Sequence, residues 1–256
     1  MLRFPFPSGP PRDETAEMIL LTLARAEENG AVLTRDDLAR ELDCATAPHL
    51  PPLIAQSLIS ADPAGALTLT AAGRDRARAL LRRHRLVERH LTDVLGFDWP
   101  RAHAEADKLE HRVSAETAQA LAEQLGNPVT CPHGNPIPHA RAEAASCPAQ
   151  SLATCAAQSR TTITRISTET PAALLHLATL GLLPNVEIEI ENHAPFGGPV
   201  MVRVGRAHYA LGRDLAARIW VKEILNSKSQ SHLEIESWGF SISLTQMRAA
   251  RSRPSA

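Results

Sequence analysis

The sequence predicts a mainly α-helical chain with a small amount of β structure, and two patterns carry this prediction. Up to about residue 125, apolar residues recur at helical spacing between capping residues. From residue 161 to residue 222, short β-branched or alternating runs stand between glycine and proline turns, as in a small β-barrel. A chain of 256 residues accommodates two or three such modules.

The amino-terminal module, residues 14–73, has the element order of a winged helix-turn-helix. Residues 14–29 form a predicted helix, and Thr34 is placed to cap a second one. The segment PHLPPLIAQSLI predicts a short third helix, because Pro51 and Pro52 lack amide hydrogens and suit only a helix start. A turn at residues 62–65 then joins two strand-like runs.

Residues 74–138 predict a helical module. Its first helix runs from Thr70 to Leu95 and includes RDRARALLRRHRLVER, which contains seven arginines. Asp98 and Ser114 are placed to cap two further helices. The arginines could contact phosphates, although a solvated helix surface is the ordinary role of such residues.

The rest of the chain divides into three parts. Residues 139–160 are rich in alanine, serine and glutamine without an amphipathic period, and they predict a linker. Residues 161–222 form the predicted barrel. Residues 223–256 are a tail to which the sequence assigns no role.

Composition excludes several classes of protein. The formal net charge of -1 gives no global attraction to nucleic acid or anionic lipid, so such binding must come from local charge clusters. The amino terminus lacks the apolar run of a secretory signal, and no later stretch approaches membrane-spanning length. The four cysteines contain no CxxC pair and predict reduced thiols. We therefore expect a cytoplasmic protein without a membrane partner.

A stripe of metal-ligand side chains lies on one predicted helix face. The stripe consists of two histidines and two carboxylates at positions i, i+4, i+7 and i+8, namely His103, Asp107, Glu110 and His111. His84 and Glu88 form a similar pair one turn apart on the arginine-rich helix. A divalent first-row metal ion needs convergent nitrogen and oxygen donors of this kind. A charge-paired surface is the alternative, because acid and base pairs at this spacing are common.

A long stretch of the chain resembles the diphtheria toxin repressor and manganese-transport regulator family. The resemblance lies in RHRLVERHLTDVLGFDWPRAHAEADKLEHRVSAETAQAL and the following GNPIP, which are similar to the family's metal-binding and dimerisation module. In addition, ATLGLLPNVEIEI and GGPVMVRVGRAHYALGRDLAARIWV resemble the SH3-like barrel of the ferrous-transport accessory protein FeoA. The fold implied is a winged helix, a helical dimerisation module and an SH3-like barrel.

The resemblance also implies two metal sites in each subunit. The ancillary site would consist of His84, Glu88 and His103, with Glu169 donated by the barrel. The regulatory site would consist of Met18, Asp107, Glu110 and His111. Core packing is an equally ordinary role for Met18, and a purely structural role is the simpler alternative for Glu169.

The implied cofactor is Mn(II) or Fe(II). Iron-sensing members of the family resemble this chain at Met18 but carry cysteine at the position of Asp107, whereas manganese sensors carry a carboxylate there. Hard oxygen ligands favour manganese slightly, although ligand type does not fix the metal. The implied protein is a homodimeric, metal-dependent repressor that binds a palindromic double-stranded operator and controls metal homeostasis.

The segment expected to read DNA is the weakest part of the resemblance. No lysine or arginine occurs between Arg40 and Arg74, and prolines crowd the third helix. The candidate DNA-binding side chains are Thr34, Arg35, Thr46, His49 and Gln56. A cytosolic metal-binding regulator of a metal transporter, without specific DNA binding, is therefore a second hypothesis.

The residues are also compatible with two other kinds of metal site, a catalytic one and a zinc site. Two histidines and two carboxylates could hold a catalytic ion, but no nucleophile, oxyanion motif or phosphate loop accompanies them, so we expect no enzyme. Cys131 and His133, with His139 and Cys147, could hold zinc. Their spacing fits no standard zinc site, and a flexible segment is the simpler expectation.

Overall fold

The computed structural model describes residues 13–138, 149–168 and 170–224. In these ranges the chain forms an amino-terminal module of helices with a small sheet, a helical module, and a carboxyl-terminal antiparallel sheet with two short helices. One hydrophobic cluster fills the first module, another fills the last, and two smaller clusters fill the middle. The predicted fold class, mainly α with a small β part, is confirmed.

The amino-terminal module has the order predicted for a winged helix. Its elements are α1 (Glu14–Glu28), β1 (Leu33–Thr34), α2 (Arg35–Leu42), α3 (Leu50–Ala55), β2 (Ile59–Ala61) and β3 (Ala66–Leu69). The three strands form an antiparallel sheet in the order β1-β3-β2. Asp13 caps α1 through the Ala16 amide, and Thr34 and Asp37 form a reciprocal capping box at α2. Local capping chemistry therefore fixes where both helices begin.

The helical module contains α4 (Ala71–Asp93), α5 (Trp99–Leu109) and α6 (Ala115–Gln124). The side chains of Thr70, Asp98 and Ser114 cap these three helices, as the sequence predicts for the last two. The start of α4 packs directly on the winged module, since a Cβ atom at Gly73 would lie 1.9 Å from the Leu58 carbonyl oxygen. The long helix α4 therefore connects the two modules without a flexible joint.

Most arginines of α4 bind other parts of the same chain. Arg74 makes a bidentate contact with Glu27, at 2.9 and 3.1 Å. The guanidinium of Arg85, only 2% exposed, binds Glu28 and the Pro136 carbonyl oxygen. These arginines fasten α4 to the end of α1 and to the segment after α6. The arginines of α4 therefore do not form a row of side chains that are all free to bind phosphates.

The carboxyl-terminal module is a six-stranded antiparallel sheet in the order β4-β9-β5-β6-β7-β8. Its elements are β4 (Gln150–Ser151), β5 (Ser159–Ile166), α7 (Pro171–Thr179), β6 (Glu187–His193), β7 (Val200–Val204), β8 (Ala207–Leu211), α8 (Arg213–Ala216) and β9 (Ile219–Glu223). Its core consists of inward-facing aliphatic side chains from these strands and from α7.

The predicted end of the linker at residue 160 needs correction. Gln150 and Ser151 pair with β9, and Leu152 and Cys155 are buried in the core of the sheet. Residues 150–155 have no alternating pattern of apolar and polar side chains, so the sequence alone did not show that they belong to the last module. Residues 139–148 of the predicted linker, and the tail beyond residue 224, lie outside the described ranges. No helix in those ranges combines the length and apolar character needed to cross a bilayer.

Candidate metal centre

Glu88 on α4 lies at the centre of three buried imidazoles. Its Oε1 atom is 3.0 Å from Nδ1 of His103 on α5 and 3.2 Å from Nδ1 of His133. Nε2 of His84, one helical turn earlier on α4, lies 3.7 Å from the same oxygen. The four side chains are at most 6% exposed. One carboxylate oxygen therefore faces three nitrogen donors away from water.

The second nitrogen of His84 lies beside two further carboxylates. Nδ1 is 2.6 Å from Glu110 Oε2 and 3.3 Å from Asp107 Oδ1. Asp107 also approaches His103, with Oδ2 lying 3.6 Å from Nε2 of that ring. His84 therefore connects the Glu88 carboxylate to the two acidic residues at the end of α5.

His111, in the turn after α5, binds a residue of the winged module. Its Nδ1 atom lies 2.8 Å from Oε2 of Glu17 on α1, and both side chains are almost fully buried. The hydrogen bond with Glu17 is the main reason why the pKa of His111 is raised. Nε2 of the same ring lies 3.5 Å from Glu110 Oε1. Met18, the next residue on α1, lines a cavity of about 470 Å³ together with Asp107 and His111.

A third group of donors comes from residues 131–134, here called the CPHG segment. Cys131 and His133 are buried beside Glu88, and the three donor atoms lie within 4.8 Å of one another. The segment is held against β5, because the Ile166 amide donates to the His133 carbonyl oxygen at 2.8 Å. Gly134 permits this approach, since its φ is +82° and a Cβ atom would lie 2.2 Å from the Thr164 carbonyl oxygen.

In the cluster, the pKa values of His84 and His133 are raised and that of Glu88 is lowered, which favours charged imidazoles beside an ionised Glu88. Burial lowers the pKa of His84, but the hydrogen bond with Glu110 and the nearby Glu88 carboxylate outweigh burial and raise that pKa to about 10. Burial also opposes ionisation of Glu88, yet the charge of His133 and hydrogen bonds from His103 and His133 hold the pKa of Glu88 well below its ordinary value. Metal ions bind neutral imidazoles, so an ion that enters this cluster must displace protons.

The donor atoms fit a divalent transition metal. Among the described residues, four buried polar atoms of the cluster have no hydrogen-bond partner: His84 Nε2, Asp107 Oδ1, Glu110 Oε1 and His133 Nε2. Such an atom costs about 1–3 kcal/mol when it is left unsatisfied, and coordination to a cation satisfies it. Imidazole nitrogens and carboxylate oxygens suit Mn(II) and Fe(II), and the Cys131 thiol adds a softer donor.

The three groups of donors are not independent. They are His84 with Glu88 and His103, Glu88 with Cys131 and His133, and His84 with Asp107 and Glu110. His84 belongs to two groups through its two ring nitrogens, and Glu88 belongs to two groups through one oxygen. Ions at neighbouring positions would therefore have to share these ligands.

The structure brings most of the predicted metal ligands together but divides them differently. His84, Glu88 and His103 converge as the resemblance implies. Asp107 and Glu110 converge with His84, and Glu110 also lies 3.5 Å from Nε2 of His111. Met18 lies across a cavity from Asp107 and His111 and also packs against the core of the winged module. Glu169 lies outside the described residues.

Three residues of the cluster were not among the ligands expected for the two metal sites, although Cys131 and His133 were considered for a zinc site. Glu17 precedes Met18 directly, and its position among the first-helix carboxylates was the available signal. Cys131 and His133 directly precede GNPIP, the end of the family-like stretch. The expectation of a flexible segment is corrected for both, because contacts with Glu88 and β5 bury them. His139 and Cys147 lie outside the described ranges.

The structure corrects one of the expected DNA-binding residues. Thr46 is 2% exposed in the single chain and therefore cannot present its hydroxyl group to a base edge. The Thr34 hydroxyl is engaged in the capping box of α2. His49 binds Asp13, with Nδ1 lying 2.8 Å from Oδ2.

Two other expected DNA-binding residues are exposed. Arg35 begins α2, and Gln56 follows α3 directly. The helix α3 spans only Leu50–Ala55 and has its two prolines in the first turn, as the sequence predicts. The reading surface of the winged module is therefore short and carries few hydrogen-bonding groups.

Comparison with known proteins agrees with this architecture. Residues 70–139 match the family described as iron dependent repressor, metal binding and dimerisation domain, and residues 150–223 match the FeoA domain. The chain is 28% identical over 235 residues to the iron-dependent repressor IdeR of Mycobacterium leprae (strain TN), covering 82% of this chain and 98% of that protein. It is 38% identical over 129 residues to the diphtheria toxin repressor of Corynebacterium jeikeium (strain K411), covering 49% of this chain and 53% of that protein.

A solved structure extends the likeness to the whole described architecture. A manganese-dependent transcriptional repressor in complex with manganese superposes with a TM-score of 0.76 at 31% sequence identity, covering 82% of this chain and 100% of that chain. The similarity includes the winged helix, the helical module and the FeoA domain. The chain therefore belongs to the diphtheria toxin repressor and manganese-transport regulator family, in its form with a carboxyl-terminal FeoA domain.

Proposed function

We propose that the protein is a metal-dependent DNA-binding transcriptional repressor that controls metal-ion homeostasis, with Mn(II) or Fe(II) as its activating ion. The buried contact between Glu17 and His111 is the observation that carries this proposal. It joins the first helix of the winged module to the metal-ligand cluster. An ion bound beside His111 would therefore act on the position of the winged module.

The metal would act by shifting a population of conformations. An ion can favour one arrangement of two modules only through its greater affinity for that arrangement. An ion at Nε2 of His111 would leave the Nδ1 proton in its hydrogen bond with Glu17, so occupancy and the position of α1 would be linked. The same ion could gain Met18 as a further ligand across the adjoining cavity.

The proposed ligands accommodate up to two ions in each subunit. Met18, Asp107, Glu110 and His111 stay our candidates for the regulatory ion, with His84 shared. Glu88 and His103, together with Cys131 and His133, are candidates for a second ion. The carboxylate of Asp107 in place of a thiol favours Mn(II) for the regulatory position, since manganese prefers oxygen donors.

The proposed partners are a second copy of the chain and double-stranded DNA. The helical module belongs to a family of dimerisation domains, and a two-fold dimer would present two winged helices to a palindromic operator. We place the protein in the cytoplasm because its operator would be there. The proposal includes no catalytic role, since the relatives are repressors and the buried histidines and carboxylates serve as ligands.

A second function is favoured by the surface of α3. Pro51, Pro52 and Ile54 are exposed there, and none of them can donate a hydrogen bond from its side chain to a base. A metal-binding regulator of a transporter, without specific DNA binding, would have no need of such donors. In this alternative the protein has the same metal centre but binds no operator.

Fluorescence anisotropy separates the two functions. Labelled duplexes from the protein's own upstream region and from metal-transporter promoters are titrated with protein at fixed salt, with Mn(II), Fe(II), Zn(II) or a chelator. Metal-dependent, sequence-specific binding is expected for a repressor. Replacement of His111 by Ala should abolish this response and leave the dimer intact, whereas His176→Ala on the exposed face of α7 should not change it. Tight metal binding without DNA binding would support the second function.

A further inference from the structure

Arg25 places a positive charge beside the candidate metal ligands. It lies on α1, and one of its terminal guanidinium nitrogens is 4.0 Å from Oδ1 of Asp107. Its side chain is only 17% exposed, whereas the Asp107 side chain is 34% exposed. Arg25 lies in the last turn of α1, where a basic side chain interacts favourably with the helix dipole even when it is exposed to solvent. The burial of its guanidinium beside the cluster therefore calls for an electrostatic explanation.

The charge of Arg25 acts on the same groups that would receive a metal ion. Oδ1 of Asp107 lies 3.3 Å from Nδ1 of His84, so Arg25 faces the donor group formed by His84, Asp107 and Glu110. Its charge opposes protonation of His84, in the same direction as burial. A divalent ion bound to Asp107 would lie about 2 Å from the carboxylate oxygen. The guanidinium and the ion would then repel each other at short range.

The structure also provides a place to which the guanidinium can move. A cavity of about 510 Å³ separates α1 from the residues that connect β5 to α7. Arg25 lines this cavity together with Thr22, Asn29, Ser167 and Thr168. Glu41 and Arg218 also line the cavity. The Glu41 carboxylate and the hydroxyl oxygens of Thr22 and Thr168 can accept hydrogen bonds from a guanidinium.

We propose that Arg25 is a built-in competitor of the metal ion for Asp107, and that metal binding displaces its guanidinium into the cavity between α1 and the FeoA domain. Arg25 thereby sets the metal concentration at which the regulatory site fills. Through this displacement, metal binding at the regulatory site also changes the contact between α1 and the FeoA domain. This inference rests on the proposed metal-binding function.

The test compares neutral and charged replacements of Arg25. Binding of Mn(II) to the full chain is measured by competition with a fluorescent chelator for the wild type, Arg25→Gln, Arg25→Met and Arg25→Lys. The two neutral variants should bind Mn(II) about tenfold more tightly, since one unit charge is removed at short range in a partly solvated site. Arg25→Lys should stay within about threefold of the wild type because the charge is kept. Arg78→Gln removes a charge from the exposed face of α4 and is the matched control.

A second readout requires no bound metal. In the presence of a chelator, Arg25→Gln should unfold at a lower temperature than the wild type, because the carboxylates at the end of α5 lose a compensating charge. Neutral variants that bind Mn(II) as weakly as the wild type, or more weakly, overturn the inference. A wild-type protein that binds neither Mn(II) nor Fe(II) overturns the proposed function and this inference with it. Normal wild-type binding with unchanged neutral variants overturns this inference alone.

Discussion

Glu17 on α1 and His111 after α5 are joined by a 2.8 Å hydrogen bond between Oε2 and Nδ1, although they are 94 residues apart in the chain. This bond engages Nδ1 of His111, so a metal ion would coordinate the ring through Nε2. Nε2 lies 3.5 Å from Glu110 Oε1. Carboxylates that bind the second nitrogen of a metal-ligating histidine orient the ring and strengthen it as a ligand.

Replacement of Glu17 by Gln should weaken metal binding without removing any metal ligand proposed for the regulatory site. We expect the affinity for Mn(II) to fall about 10- to 100-fold, as for other partners of metal-bound histidines. Isothermal titration with Mn(II) measures this change, and Glu116→Gln on the exposed face of α6 is the control. Equal affinities for Glu17→Gln and the wild type would show that the bond is structural only.

Metal affinity and metal-free stability should change with pH in opposite directions. The pKa of His84 is raised to about 10 from an ordinary value of 6.5, so the folded chain retains a proton that the unfolded chain loses between these values. In a chelator, the stability contributed by this proton is complete below pH 6.5 and is lost as the pH rises through about 10. Mn(II) affinity should rise over the same window, because the ion displaces this proton.

Thermal unfolding in a chelator and Mn(II) titrations, both run across that window, test this pair of trends. The stability of a His84→Gln variant should depend less on pH there, since Gln does not titrate. Glu88 contributes the opposite sign at acid pH, because its pKa is lowered and its stabilisation is lost as the pH falls. A Mn(II) affinity that stays constant from neutral to alkaline pH would contradict the protonated cluster.

Replacement of Cys131 by Ser should alter metal preference. A thiolate favours Co(II) and Zn(II) more than Mn(II), so we expect affinity for the first two to fall at least about tenfold and affinity for Mn(II) to change little. Co(II) binding to the wild type should show a thiolate charge-transfer absorption that Cys131→Ser lacks. Cys155→Ser is a matched control, because Cys155 is also buried but donates to the Ser151 carbonyl oxygen in the last module. An absorption that persists in Cys131→Ser would exclude this thiol as a ligand.

Replacement of Gly134 by Ala should detach the CPHG segment from β5. The added Cβ would lie 2.2 Å from the Thr164 carbonyl oxygen, at a φ of +82°. We expect a loss of at least about 2 kcal/mol in the free energy of unfolding, from overpacking and backbone strain together. Gly205→Ala has a positive φ of +58° with nothing within 4 Å of the added atom, so strain alone should cost it about 1 kcal/mol. Chemical denaturation compares the two, and equal losses would contradict the role of the close contact.

Helix starts and the short α3 could be predicted because they depend on neighbouring residues. Asp98 and Ser114 cap α5 and α6 as expected, and Pro51 and Pro52 lie in the first turn of α3. The linker boundary could not be predicted in the same way. Gln150 and Ser151 form a strand only because they pair with Val221 and Trp220 of β9, which lie far away in the chain.

The metal-ligand stripe shows the same division. Helical spacing placed His103 and Asp107 one turn apart on the same face, and α5 presents them so. Spacing could not show that Nε2 of His84 faces Glu88 on α4 while Nδ1 faces Glu110 at the end of α5. It also could not show that His133 approaches Glu88, because that contact depends on how the CPHG segment packs on α4 and β5.

By itself, the sequence determined the fold class, the order of the modules and the placement of His103 and Asp107 on one face of α5, because periodicity and capping act over a few residues. Only the tertiary structure decided which ligands meet. Glu17, Cys131 and His133 enter the cluster through packing between elements distant in the chain. Burial in that packed interior excludes water, so imidazoles and carboxylates must satisfy one another or a metal ion, and this requirement converts separate side chains into one candidate metal centre.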